Sequence, residues 1–278
     1  MRTPGGAGDS DAQRWRSVTA VFVALLLLAG TWTALRGGFA GPGRGLRVVG
    51  LDPGGVVLAV LAVAAAVWFW GWQFGLALMV TVALHEYGHV AAFRVCGHDD
   101  ARFRLIPLLG GYAISNRAPR GPLEAFFIAL MGPAICLAPM ALAFALSDLL
   151  AIRSPGLAND LFLLALVMGA LNFFNLLPLW PLDGGRMLQL LGRSLAPGSE
   201  RILSYAMLAG AVALALALRS VVLAIFVVMS WRGLFAAEAQ VTAQKPMSPG
   251  AALTALGAYA FTSLACAFGG WPLIQRFL

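Results

Sequence analysis

Charge is what this chain lacks most. Of its 278 residues, 11% are charged and 60% hydrophobic, whereas ordinary soluble proteins carry roughly a quarter charged residues. Lysine is almost missing, Lys245 standing beside eighteen arginines, and there are only three histidines and four glutamates. Cysteine is equally sparse: Cys96, Cys136 and Cys266 are widely spaced, form no CxxC pattern and read as reduced, packed thiols. Polar connections are short as well. The longest, 36–54, 95–122, 178–201 and 237–249, fall below the roughly 50 residues that a folded accessory module needs. No soluble domain is expected between the apolar segments.

Long apolar runs fill the space that charge leaves. A bilayer core needs about 20 mainly apolar residues per helical crossing, and suitable runs cover 18–35, 55–72, 74–94, 123–147, 159–177, 202–218, 220–236 and 250–270. A large soluble core would be built from helices with a polar face; the segment VVLAVLAVAAAVWFW (56–70) has none. The expected fold is therefore an all-α polytopic membrane protein of about eight transmembrane helices, with the lipid bilayer as its surroundings. A net charge of +7 does not alter that reading. Nucleic-acid surfaces need clustered basic residues, and here they are dispersed among short loops, so no nucleic acid is expected as a partner.

Basic loop residues do set orientation. If the helix ending at Arg94 finishes in the cytoplasm, then Arg36, Arg44, Arg47, Arg94, Arg102, Arg104, Arg117, Arg120, Arg186, Arg193, Arg201, Arg232 and Lys245 are cytoplasmic, thirteen of the 19 basic residues. Arg2, Arg14, Arg16, Arg153, Arg219 and Arg276 lie outside. This orientation is preferred, although it leaves three N-terminal arginines on the outer side. The arginine, alanine and glycine bias points to a bacterial inner (plasma) membrane. Residues 1–17 are polar and expected to fray; the apolar run after Arg16 lacks a small-x-small cleavage site, so a retained first helix is expected.

One segment departs from the helical pattern. ARFRLIPLLGGYAIS (101–115) combines β-branched and aromatic residues, a proline and the Gly110-Gly111 pair, which permits a tight turn. It reads as a small membrane-associated β-hairpin or re-entrant loop, with LRVVGLD (46–52) as a candidate partner strand. Non-helical backbone at membrane depth survives only when buried in protein or lining a water-filled cavity.

Ionisable groups inside a membrane helix are costly, and their presence marks function. The third apolar run contains LHEYGHVAAF, with His85, Glu86 and His89. Histidines at i and i+4 share a helix face and can hold one metal, while Glu86 can reach a nearby water as general base. Zinc would bring the pKa of such a water towards ~7. His98, in CGHDD, is expected to be a solvated loop residue. Catalytic zinc normally has three protein ligands, and the third is sought among few acids. Asp9, Asp11, Asp52, Asp148 and Asp160 are assigned to the tail or loops, Asp99 and Asp100 to the 95–122 segment, and Glu124, Glu200 and Glu238 to helix ends. Asp183 remains, in NLLPLWPLDGGRM, where Pro178 and Pro181 break a helix and leave the carboxylate on unwound backbone.

HEYGH in one membrane helix, followed by NLLPLWPLDGG in another, resembles the site-2 protease family of intramembrane zinc metalloproteases. The resemblance runs over roughly residues 46–193, with Leu46–Asp52, helix 55–72, the HEYGH helix, LLGGYAI (108–114), MGP (131–133) and NLLPLWPLDGG in the family's order. It implies one zinc per chain, held by His85, His89 and Asp183, with Glu86 as general base. Asn175 matches the family's asparagine and is implied to position substrate or stabilise the oxyanion. Gly110 and Gly111 are implied to lie near the active site, where an extended substrate could pair with a strand edge. The implied organisation is an N-terminal tail and extra helix (1–45), a metalloprotease core (46–193) and additional helices (194–278). The chain has no room for the PDZ or CBS domains of some members. The implied activity is regulated proteolysis of transmembrane protein substrates. A metal-transit site would favour broken helices in repeated halves, and no repeat is visible; a catalytically inactive homologue would not need the intact HExxH.

Overall fold

The structure, a computed structural model, describes residues 6–39, 48–49, 53–106, 110–219 and 221–276. In hydrocarbon a helix satisfies its backbone groups internally, and the apolar runs are helical accordingly. In chain order the helices are α1 (Gly6–Leu35), α2 (Pro53–Trp70), α3 (Trp72–Val95), α4 (Pro122–Ile135), α5 (Leu137–Leu150), α6 (Pro155–Asn175), α7 (Asp183–Leu195), α8 (Glu200–Ala217), α9 (Val221–Ala243) and α10 (Pro249–Ile274).

Among the described residues, six stretches are long and apolar enough to cross a membrane: Val18–Leu35, Trp72–Val95, Pro122–Leu150, Pro155–Asn175, Glu200–Ala217 and Pro249–Ile274. These answer to six of the eight runs expected from the sequence. The other two expected runs, 55–72 and 220–236, fall on α2 and α9, whose side chains are described only in part. The outer faces carry apolar side chains, with Phe268 87%, Leu264 71% and Phe22 61% exposed, as lipid-facing surfaces require. The chain is an integral membrane protein.

Several sequence expectations need correction. The tail expected to fray is helical from Gly6, which carries Asp9 and Asp11 into α1. Asp148 and Asp160 lie within α5 and α6 rather than in loops. The crossing expected at 123–147 is present as Pro122–Leu150, with its helix interrupted at Cys136 between α4 and α5. Pro133 lies inside α4 and contributes no N–H to the ladder, and the Cys136 N–H instead reaches the Pro133 carbonyl at 3.2 Å.

Three strands form a small sheet in the order β1 (Val48–Val49), β2 (Arg102–Ile106) and β3 (Gly110–Ile114). β1 runs parallel to β2, and β3 antiparallel to it, with Phe103 opposite Ala113. This leaves β3 at an edge of the sheet. The sheet rests against α3, where Val90 is buried with Ala101 and Ala113. At the opposite end of α3, the turn from α2 exposes Trp68, Trp70 and Trp72 by more than half, residues suited to the membrane–water boundary. The 24 residues of α3 span about 36 Å at 1.5 Å per residue, enough to run from that aromatic belt to Arg94.

The helices nearest the future site are α3, α4, α6 and α7, with α10 packed along α6 and against α7. The largest buried cluster joins them, taking Ala91, Met131, Met168, Leu176, Met187 and Ala252 among others.

Candidate metal centre

α3 places His85 and His89 one turn apart, so both imidazoles leave the same face. That face meets α4 at a close crossing. A methyl group added at Gly88 would collide with the Met131 carbonyl, and one at Gly132 would overlap the His89 ring. The two glycines thus let the α4 backbone approach the histidine-bearing face of α3.

Asp183 arrives from the other side. α6 ends at Asn175, and residues 176–182 make a turn that contains Pro178 and a cis Trp180–Pro181 bond. Asp183 then opens α7, which corrects its expected place on unwound backbone. The amphipathic run after it, RMLQLLGRSL, resumes a helix as soon as the prolines are past. Gly184 and Gly185 lie so close to the carbonyls of Leu176, Leu177 and Leu179 that neither position admits a side chain. The pair holds the turn tight and the carboxylate forward. Tyr259 of α10 donates from its hydroxyl to the Leu176 carbonyl at 2.6 Å, fastening the turn to a helix outside residues 46–193.

The three side chains converge. His85 Nε2 and His89 Nε2 are 3.1 Å apart, and each is 3.2–3.3 Å from the same oxygen, Asp183 Oδ2. All three residues are buried. Ligands about 2.0–2.1 Å from a tetrahedral zinc stand roughly 3.3–3.4 Å from one another, so this triangle has nearly the size a zinc ion needs.

Hydrogen bonds behind the triangle decide what it presents. His89 Nδ1 donates to the Ile128 carbonyl at 2.7 Å, an atom that can only accept. His85 Nδ1 donates to Asn172 Oδ1 at 2.7 Å. The amide of Asn172 is oriented by its own Nδ2, which donates to the Met168 carbonyl at 2.8 Å. Both rings therefore spend their Nδ1 proton on the protein and turn an Nε2 lone pair inward beside a carboxylate. Three acceptors face one point, and a bound cation satisfies all of them. The donor set, two imidazoles and one carboxylate, matches catalytic zinc sites with an open fourth position.

Glu86 is 7% exposed and is not one of the three converging groups. It lies one turn before Val90, on the stripe of α3 that meets Ala113 of β3. That stripe adjoins the face that carries His85 and His89. Gly110 and Gly111 begin β3, paired with Ile106 and Leu105. Asn175 ends α6, its Nδ2 donating to the Leu171 carbonyl at 3.2 Å. Asn172, one turn earlier and fully buried, was not singled out from the sequence. Its signal was available: a polar residue in the middle of an apolar helical run, in the spacing N-x-x-N.

His98 is not a solvated loop residue. It is 3% exposed, with Nδ1 2.8 Å from Ser115 Oγ and Nε2 2.7 Å from Glu124 Oε1. Ser115 also donates to Asp100, whose other oxygen takes the Asn116 N–H. That backbone bond, with the Ser115 hydroxyl, holds the Asp100 carboxyl below its ordinary range. The network ties the end of α3 to the exit of β3 and to the first turn of α4. It contributes no ligand to the triangle.

Comparison with known proteins gives the family. The model of Peptidase family M50 matches residues 73–152 and 147–218, which include HEYGH and Asp183. A putative zinc metalloprotease from Synechocystis is 33% identical over 122 residues, 44% of this chain and 32% of that protein. A putative zinc metalloprotease from Mycobacterium tuberculosis is 35% identical over 128 residues, 45% of this chain and 32% of that one. A zinc metalloprotease from Methanocaldococcus jannaschii is 34% identical over 137 residues, 48% and 38% of the two chains. This chain thus spans about a third of the length of the curated relatives it matches. Among solved structures, the site-2 protease from Methanocaldococcus jannaschii aligns with a TM-score of 0.44 at 19% identity, over 70% of this chain and 90% of that one.

Proposed function

The chain belongs to peptidase family M50, and from that premise we propose that it is an intramembrane zinc metalloprotease that cuts transmembrane protein substrates in or near their membrane segments. The observation that carries this reading is the triangle of His85 Nε2, His89 Nε2 and Asp183 Oδ2, with sides of 3.1–3.3 Å. One zinc per chain would sit there, polarising the scissile carbonyl and acidifying a neighbouring water.

The chain's own groups do the rest. Glu86 takes the proton of the attacking water and returns it to the leaving amine. Asn175, at the end of α6, donates from its amide to the developing oxyanion. β3 has one open edge, and an extended substrate segment can add to it as a further strand, with Gly110 and Gly111 at the start of that strand. A helical substrate hides its carbonyls in backbone hydrogen bonds, so it must unwind before attack, and helix-weakening residues in it should assist. The catalytic core occupies 46–193, with α10 as a buttress because Tyr259 fastens the turn before Asp183.

The bulk of the basic loop residues favours a cytoplasmic end for α3 at Arg94. The HEYGH motif then lies roughly 8–14 Å below the cytoplasmic surface of a bacterial inner membrane, counted at 1.5 Å per residue. Water reaches the site from that side.

The test is co-expression with single-pass membrane proteins, comparing the wild type with Glu86→Gln. A fragment that forms with the wild type and disappears with Glu86→Gln supports the reading. A fragment unaffected by Glu86→Gln excludes Glu86 as the base.

A further inference from the structure

The two metal-facing histidines are anchored differently. His89 is held by a backbone carbonyl, that of Ile128, which no substitution removes. His85 is held by a side chain, that of Asn172, at 2.7 Å. We propose that Asn172 is the positioning residue that fixes the tautomer and ring direction of His85, and that the two asparagines of N-x-x-N divide the work, Asn172 serving the metal and Asn175 the peptide. The proposal rests on the zinc reading above.

The side chain of Asn172 also neighbours the buried Cys136 thiol, but its oxygen is spent on His85. The residue is 0% exposed, so water cannot stand in for either amide atom. Its Nδ2 is committed to the Met168 carbonyl one turn back on α6, which aims Oδ1 at His85. A flipped amide would set carbonyl against carbonyl at Met168 and donor against donor at His85, two buried repulsions exchanged for two bonds. The alternative His85 tautomer, with its proton on Nε2, would place N–H where the metal must bind and a lone pair against Asn172 Oδ1. Partners of this kind hold a ligating histidine in register, and removing them typically costs 10–100-fold in metal affinity. Asn175 is placed otherwise. It is only partly buried, ends its helix, and makes its hydrogen bond to Leu171 rather than to either histidine.

The experiment uses the full chain in detergent and zinc alone as the probe. Zinc affinity is measured by competition with a chromogenic chelator for the wild type, Asn172→Ala, Asn172→Asp and Asn175→Ala, and cleavage is followed at limiting and at saturating zinc. Asn172→Ala should bind zinc about 10–100-fold more weakly, and saturating zinc should restore most of its cleavage, because no reacting group is altered. Asn172→Asp keeps an oxygen facing His85 but loses the donor to the Met168 carbonyl, so its zinc affinity should fall between those of Asn172→Ala and the wild type. Asn175→Ala should bind zinc like the wild type and cleave poorly at any zinc level. Wild-type affinity in Asn172→Ala overturns the proposal. If Asn172→Ala does not fold, nitrogen-15 spectra of the wild-type imidazoles decide: a His85 ring without a proton on Nδ1 refutes the assignment, and one with it supports the assignment. A wild-type chain that binds no zinc refutes the metal reading itself, a result distinct from wild-type affinity in the variant.

Discussion

Gly132→Ala adds one methyl group next to Nε2 of His89, one corner of the buried triangle. Built on the present backbone, that methyl overlaps Nε2 and Cε1 of His89 and comes within 2.9 Å of Cδ2, where carbon contacts prefer about 3.5–4.0 Å. The ring must therefore withdraw by roughly 1 Å, and little in its surroundings yields. Its far nitrogen is tied to the Ile128 carbonyl at 2.7 Å, a bond that lengthens past the useful range if the ring moves. α4 cannot retreat freely either, because it also packs against α7 and α10. Overpacking of this sort costs about 1–3 kcal/mol, and the strained histidine bond adds about 0.5–1.5 kcal/mol. Either adjustment displaces Nε2 from the triangle, so zinc affinity should fall at least as far as for a lost orienting partner, about 10–100-fold. Chelator competition measures the affinity and thermal unfolding in detergent the stability. Gly257→Ala on α10 serves as the control, since a methyl there meets nothing within 4 Å. Wild-type zinc affinity in Gly132→Ala would refute the argument that the α3–α4 crossing sets the site.

Asp183→Ala should strip zinc from the purified protein, whereas Glu86→Gln should retain it and lose cleavage by about 10²–10⁴-fold, the usual contribution of a general acid–base group; metal analysis and a cleavage assay read the two separately. His98→Ala should leave zinc content unchanged but lower stability by about 1–3 kcal/mol, because Ser115 and the Glu124 carboxylate lose a buried partner; thermal unfolding beside metal analysis checks this, and loss of zinc would mean that the α3–α4 network reaches the site. Cleavage should fall in the cytoplasmic half of the substrate's membrane segment, or just beyond it, as mass spectrometry of the products can show; cuts confined to the outer half would overturn the orientation while leaving the zinc chemistry standing.

What could be read from the residues were the features whose cause is local. Apolar runs near 20 residues are helices because hydrocarbon offers backbone groups no other partner, and six of them qualify as crossings among the described residues. Where the reading slipped, a local rule had been applied too strongly. Charged residues near helix ends were assigned to loops, yet Asp148 and Asp160 belong to helices, since a terminal turn at the membrane surface tolerates a carboxylate. Prolines were taken to leave Asp183 on unwound backbone, yet they end α6 only, and the amphipathic sequence after them starts α7 at that same residue.

The three converging side chains illustrate a different boundary. His85 and His89 announce themselves because i, i+4 spacing is a property of one helix. Asp183 could be proposed because so few carboxylates compete for the place. Their supports could not be found in that way: Ile128 contributes a backbone carbonyl, for which any residue would serve, and Gly132 contributes the absence of a side chain. Asn172 is intermediate, a visible polar residue whose partner is 87 positions away in sequence. A burial cost makes it conspicuous, but only the packing of α6 on α3 says which histidine repays that cost. Sequence therefore names the groups that converge more readily than those that aim them, and in this chain the aim is set where α4 and α6 close upon α3.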